Sequence, residues 1–399
     1  LPILGSRFQL TEIIFLIAVL PYLWKSKAKL NLPPSNLLPP LAAYLFINYA
    51  SAIYSQQANA ILEATGRAYL AGIFLLAHHW ASKGLSMPLL RAWQYGAVAS
   101  ALIAIGGYVF ALAGYPSQLV RLYQDYPYFG TIYRATGLTG SGGMLMSVCF
   151  LPTLLFFKDW LAHRRGNAAP LAILLFALGL SASKELILLG AGLLLIALHH
   201  IPRKDSAVTA YLKNLVWAAA ALVYWTGTHL IVLPAAQYNA TYLKGTSYTG
   251  YTTAARTGDF YWIETTYLEL KKAAYTIATE HPILGVGPGQ FNSELGALQA
   301  QDKYPTHLPL YDPHSTWFGA WAEIGFTGLS VLIFFIFILY RFTQKIPKET
   351  QLEISALLIF LGMASIESIS RDMMNFRHIW LAFGILSGFS LYPPKDDSS

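Results

Sequence analysis

Apolar stretches of roughly the length that crosses a bilayer recur along this chain, and no other feature constrains its fold so strongly. A lipid core about 30 Å thick takes roughly 20 apolar residues as a helix. Because lipid offers the backbone no hydrogen bonds, such segments must satisfy their own N–H and C=O groups. The chain therefore reads as an all-α, polytopic membrane protein. Composition agrees: 55% of the 399 residues are hydrophobic and 12% are charged, against about 25% charged in soluble domains. A soluble protein with large buried helices is the alternative that this balance disfavours. The 31 glycines and 21 prolines fit as well, since membrane helices tolerate both.

Spans are expected at about 8–24, 37–55, 60–80, 91–114, 136–157, 169–183, 185–200, 212–233, 315–340, 353–369 and 377–392. Cations then collect in alternate connections: Lys25, Lys27 and Lys29; Lys83 and Arg91; Lys158, Arg164 and Arg165; Arg203, Lys204 and Lys213; Arg341, Lys345 and Lys348. The positive-inside rule makes that side cytoplasmic, and the tail 393–399 joins it. The outward side receives the loops at 56–59 and 115–135, the turn at 181–184, the long segment 234–314 and the loop around Arg371. The chain opens on Leu1 and shows no cleavable signal peptide, so a further helix is expected ahead of it, for about twelve spans in all. Residues 1–399 form one integral membrane domain, with 234–314 inserted as a large outward loop. The net charge of +7 is spent on topology, which argues against nucleic acid as a partner. One cysteine, Cys149, excludes an intrachain disulfide and a thiolate metal site.

Within the outward segment, Phe260, Ile263, Tyr267, Leu270, Ala274 and Ile277 fall at helical spacing. This predicts an amphipathic helix over 259–280, lying at the membrane–water interface or packed on its own domain. Gly285-Val-Gly-Pro-Gly289 then breaks it and permits left-handed turns. The tract follows no strand and lies outside the cytoplasm, so it is a poor nucleotide site. His314, between Pro313 and the apolar run 316–340, stands at the mouth of the next span. A neutral imidazole there can take a proton from an incoming hydroxyl, and a helix N-terminus disfavours its charged form. Arg134 opens the stretch Ala135-Thr-Gly-Leu-Thr-Gly-Ser-Gly-Gly143, whose small residues leave backbone N–H groups open to an anion. Arg256 precedes the amphipathic helix, and Lys184 sits in a sharp turn between two spans. All three lie on the side where topology needs no cation, and such groups bind phosphate or lipid headgroups. Arg67, within a span, is expected to pair or to serve a function; Arg371 and Arg377 carry less weight. Asp312 beside His314 is the one acid placed to share an ion with it. A single such pair is a poor signal, so no metal and no cofactor is expected.

These residues resemble a known family. His281-Pro-Ile-Leu-Gly-Val-Gly-Pro-Gly-Gln-Phe291 is similar to a glycine-rich element of the O-antigen ligase and polymerase superfamily. His314-Ser315, nine residues, Gly325, two residues and Gly328 looks like the ligases' signature. Arg134-Ala-Thr-Gly-Leu-Thr-Gly140 resembles the start of a mid-chain family helix. Arg256 stands where an arginine usually precedes the outer-loop helix, and Ser183-Lys184 stands where many members carry Ser-Arg. Lys184 for arginine, Gln290 for asparagine and Ser141-Gly-Gly143 for Asn-Pro-Asn depart from the pattern. The resemblance spans about 130–330. It implies a metal-independent, inverting glycosyltransferase at the periplasmic face of the bacterial inner membrane. The donor would be a glycan on undecaprenyl diphosphate and the acceptor a sugar hydroxyl of lipid A–core. His314 would be the general base, with Arg134, Arg256 and Lys184 on the diphosphate. A repeat-unit polymerase or a protein O-oligosaccharyltransferase would use the same donor. The short signature and compact loop favour a ligase, and the oligosaccharyltransferases usually carry a longer C-terminal part. A transporter would place polar groups at mid-membrane, whereas the unusual charge here gathers on one face.

Overall fold

A computed structural model describes residues 2–4, 8–9, 17, 21, 30–126, 130–162, 165–200, 206–236, 238, 253–344, 346 and 354–389. Most of the expected span at 8–24, the cations at 25–29, 164, 203–204, 345 and 348, and the tail 393–399 lie outside these residues. The other expected spans are helices: α1 (Leu38–Ser55), α2 (Ala58–Trp80), α3 (Ser86–Leu112), α4 (Gly142–Leu161), α5 (Ala168–Leu180), α6 (Leu186–His200) and α7 (Ser206–His229) precede the long loop. After it come α10 (Thr316–Thr343), α11 (Ser355–Glu367) and α12 (Arg377–Phe389). Among the described residues, four runs have the length and apolarity to cross a membrane: Ala58–Leu112, Gly142–Leu161, Ala207–His229 and Thr316–Thr343. The first is α2 and α3 joined at Gly84, whose φ of 79° breaks the helix. Straight, its 55 residues would reach about 80 Å, so the kink divides it into two spans. The protein is thus all-α and polytopic, with a few short strands at its margins.

Two apolar clusters hold the bundle. One joins α3, α4, α5, α6, α11 and α12 around buried Leu145, Phe150, Leu174 and Phe360. The other joins α1, α2, α10 and α12, where Phe335 stacks on the fully buried Trp380 at 6.0 Å. Arg67 of α2 is buried there and pairs with Glu323 of α10. A buried cation in a membrane helix requires such a partner.

The glycine tract has a specific job in this frame. Gly325 adopts φ 68° and ψ −178° inside α10, which breaks the helical hydrogen-bond ladder. The groups released find partners on the tract: Val286 N–H donates to Ala322 O (3.0 Å), Gly287 N–H to Glu323 O (2.9 Å) and Phe326 N–H to Pro282 O (2.7 Å). Ser51 of α1 closes the knot by donating to Leu284 O at 2.6 Å. A Cβ on Gly285 would lie 2.5 Å from Glu323 O, and one on Gly325 would lie 2.6 Å from Leu284 N. Backbone cannot yield there, and both glycines have positive φ (67° and 68°). Gly325→Ala should therefore lower stability by more than about 2 kcal/mol. A denaturation midpoint unchanged in lipid nanodiscs would contradict that.

The long loop holds more structure than its periodicity predicts. Residues 260–264 form a strand rather than the first turn and a half of a helix, so α8 runs only from Thr266 to Glu280. Its stripe of Leu270, Ala274 and Ile277 is buried against Phe291, Leu295 and Leu298 of a further helix, α9 (Phe291–Ala300), and against Ala322. The apolar face of α8 is spent on protein rather than on lipid. Strands β1 (Val120–Tyr126) and β2 (Gly130–Ala135) pair antiparallel. Strand β3 (Leu230–Pro234) lies beside β5 (Phe260–Glu264), which also pairs with β4 (Thr253–Thr257).

Candidate functional site

At the end of the bundle where α10 begins, several separate chain segments deliver charged groups to one place. Ser315 is the N-cap of α10, its hydroxyl accepting from Phe318 N–H, as serine does at this position. Thr316 N–H donates to Ser368 O at 2.9 Å. Its hydroxyl donates to Arg371 O at 3.2 Å and accepts from Met373 N–H at 2.8 Å. The start of α10 is thereby sewn to the loop after α11, and His314 stands just before the cap.

His314 has φ 44°, a conformation uncommon for a residue with a side chain. Its Nδ1 pairs with Asp312; in the neutral ring Nδ1–H donates to the carboxylate and Nε2 carries the lone pair. Asp312 thus orients the ring. Among the described residues no group of three or more His, Cys, Asp or Glu is placed to hold a metal. Tyr311 stacks on the imidazole at 5.5 Å and Tyr267 of α8 lies tilted against it at 5.0 Å. Burial pushes the Tyr267 phenol up to about 12, so it stays protonated as a hydrogen-bond donor.

Lys184 reaches the same ring: its Nζ lies 3.6 Å from the Tyr267 centroid, a cation–π contact. The turn that carries it is tight, with Ala182 at φ 43°. Burial pushes the Lys184 amine down to about 8, with Arg371 and Arg134 acting the same way against Glu185. Next to it, buried Glu185 accepts from Ser183 Oγ and from Arg371 Nη2, the latter at 2.7 Å. Arg371 Nη1 is also 2.9 Å from Glu367 Oε1, close enough for an ion pair though not aligned as a hydrogen bond. Burial would raise the Glu185 carboxyl, but Arg371, Lys184 and the Ser183 hydroxyl together hold it below the usual carboxylate range.

Arg134, on β2, donates from Nε to Ser181 O at 2.8 Å and sits 4.8 Å from the Tyr123 ring centre. Its charge is felt at both Lys184 and Tyr267. The glycines after it let side chains approach. A Cβ on Gly142 would lie 3.3 Å from Arg134 Nη2, and one on Gly143 would strike the Arg371 guanidinium. Ser141 caps α4 by accepting from Met144 N–H. The glycines at this helix start thus admit arginine side chains close to the helix.

Arg134, Lys184 and His314 are brought together; Arg256 is not joined to them by any contact among the described residues. It lies exposed on β4, donating to Gly258 O at 3.2 Å and resting 5.2 Å from the Tyr261 ring centre. Arg371 was underweighted by sequence reasoning, and Tyr267, Glu185 and Glu367 were missed. Only the Ser-Lys-Glu turn, with an acid directly after an outward lysine, signalled any of them. The arrangement offers an oriented imidazole with a free lone pair, a protonated phenol and several cations. It can accept a proton and hold a polyanion at one end of a membrane bundle.

No curated protein matches the chain. The family model described as O-antigen ligase matches residues 169–333, a stretch that contains Lys184, Arg256, Tyr267 and His314. With these residues in that segment, this part of the chain is similar to the O-antigen ligases.

Proposed function

We propose that the protein is an O-antigen ligase. It moves a glycan from undecaprenyl diphosphate to a sugar hydroxyl of lipid A–core at the periplasmic face of the bacterial inner membrane. One observation carries this reading: an imidazole oriented by Asp312 shares the Tyr267 ring with Lys184. His314 Nε2 takes the proton of the acceptor hydroxyl as that oxygen attacks the anomeric carbon. The bond from this carbon to the diphosphate oxygen breaks, and the diphosphate leaves with the electron pair. A single displacement of this kind inverts the anomeric centre. Lys184 and Arg134 stabilise the charge that develops on the leaving group, an effect worth a few kcal/mol for each well-placed donor. Arg256 reaches the donor from the exposed sheet once substrate is bound, since such contacts often tighten only in the complex. No metal takes part.

The test is transfer by purified protein in lipid nanodiscs, from a polyprenyl-diphosphate glycan to lipid A–core, with a chelator present. Product should form. Arg134→Ala should lower the rate about 10²-fold, and Arg134→Lys by less, because lysine keeps the charge and loses the fork. Extension of the glycan without lipid A–core would point to a polymerase, and transfer to a peptide hydroxyl to an oligosaccharyltransferase. Activity lost on chelation and restored by Mg²⁺ would overturn the metal-free mechanism.

A further inference from the structure

Lys271 takes no part in the mechanism above, yet its placement calls for an explanation. It is only 7% exposed. Its neighbour Lys272 behaves as an ordinary surface lysine, donating to Glu264 and Glu269 at 3.0 and 2.8 Å. Lys271 has no carboxylate partner among the described residues; its Nζ donates to His229 Nε2. His229 is itself 1% exposed, stacks on Trp225 at 4.9 Å and donates Nδ1–H to Trp225 O at 2.7 Å. An imidazole that commits Nδ1–H to a carbonyl presents a lone pair at Nε2. His229 therefore fixes the lysine in place and neutralises none of its charge.

The amine points toward the site. Tyr267 and Lys271 are one turn apart on α8, so they share a face, and Nζ lies 6.0 Å from the Tyr267 ring centre. The groups that face it are His229 from α7, Tyr267 from its own helix and Lys184 from the turn between α5 and α6. Asp312 and Glu185 act on Tyr267 and are paired with His314 and Arg371. A buried cation without an anion is costly, and the cost is recovered when a ligand supplies the anion.

We propose that Lys271, held by His229, binds a phosphate group of the donor together with Lys184, the two amines gripping the diphosphate around Tyr267. This rests on the reading of the donor as a lipid diphosphate. A linkage follows. Burial, and then Lys184, push the free amine down to about 7, so above neutrality it is largely unprotonated. An anion bound beside it raises its proton affinity. Binding must then take up protons and weaken as pH rises from 7.

Isothermal calorimetry of geranylgeranyl diphosphate with the full chain in nanodiscs tests this. Titrations at pH 8, in two buffers of different ionisation heat, report the protons taken up. Lys271→Met should weaken binding about tenfold or more and lower the proton uptake, leaving a remainder that Lys184→Met removes. Lys271→Arg should keep most of the affinity with less uptake, and His229→Gln should fall between wild type and Lys271→Met. Melting temperatures near wild type would separate lost binding from lost folding. Wild-type protein that binds while Lys271→Met binds equally, with the same uptake, overturns this inference alone. Wild-type protein that does not bind the diphosphate overturns the donor reading as well.

Discussion

Arg371→Ala should be the most destabilising single substitution at the site. Its guanidinium lies between two carboxylates that are almost fully buried, 2.7 Å from Glu185 and 2.9 Å from Glu367. Removing it leaves both acids in a low-dielectric pocket with Lys184 as the nearest remaining cation. Breaking a buried pair in this way costs about 3–5 kcal/mol, because an uncompensated charge remains. Arg371→Lys keeps a charge but cannot fork between two acids, and should recover only part of the loss. Replacing Glu185 and Glu367 by glutamine in the Arg371→Met background should recover more, since no charge is then stranded. The effect of pH carries a definite sign. The Glu185 carboxyl is held below its ordinary range in the folded protein. It therefore contributes stability at neutral pH that is lost as pH falls through that lowered value. The deficit of Arg371→Ala should be largest near neutrality and shrink in acid, where the acids protonate. Denaturation midpoints across pH in nanodiscs give the comparison. A deficit that grows toward acid would contradict the ion-pair account.

The helices were legible because length of apolar run is a strong signal and lipid admits few alternatives. Their ends and the loop were less so. Phe260 and Ile263 happen to continue the helical spacing of α8, yet Phe260-Tyr-Trp-Ile263 is also rich in strand formers. The pairing of β5 with β3 that decides the matter joins Leu230 to Glu264 across the chain, and no local pattern reports it. Glycine positions were readable as places of unusual backbone, but what each admits was not. Gly325 and Gly285 serve one another across a broken helix, and Gly143 makes room for Arg371.

The chemistry divided in the same way. His314 stands out through its place at a span's mouth and the spacing of Ser315, Gly325 and Gly328 after it, whereas the role of Asp312 in orienting the ring is seen only in the fold. Arg371 looked like one more cation at a helix end. Its significance lies in Glu185, 186 residues away in the chain. Arg134 and Arg256 were indistinguishable in sequence, both outward and both near glycine. Only the fold separates a cation hydrogen-bonded to the Lys184 turn from one on an exposed strand.

His314→Ala should lower the rate of glycan transfer by roughly 10²–10⁴-fold, the usual range for a general base, while the protein stays folded. Little packing is lost, because the side chain is 29% exposed and its contacts are ring faces and Asp312. Stability supplies an independent check through the backbone. At φ 44° a residue with a Cβ is strained by about 1–2 kcal/mol, and glycine is not. His314→Gly should therefore be inactive yet no less stable than His314→Ala. Asp312→Asn should cost less than either, because water can replace part of what a carboxylate that is 59% exposed supplies. The pH profile separates a base from a cationic phosphate ligand. A base works only when neutral, so activity falls on the acid side; a charged ligand would lose activity as pH rises. Lys184 and Lys271 should impose a second, alkaline limb as their amines deprotonate above about 7 to 8. Lys271→Arg should move that limb upward and leave the acid limb alone. Transfer by His314→Ala at a near-normal rate, with native melting, would remove His314 from the chemistry and leave the cations to carry it.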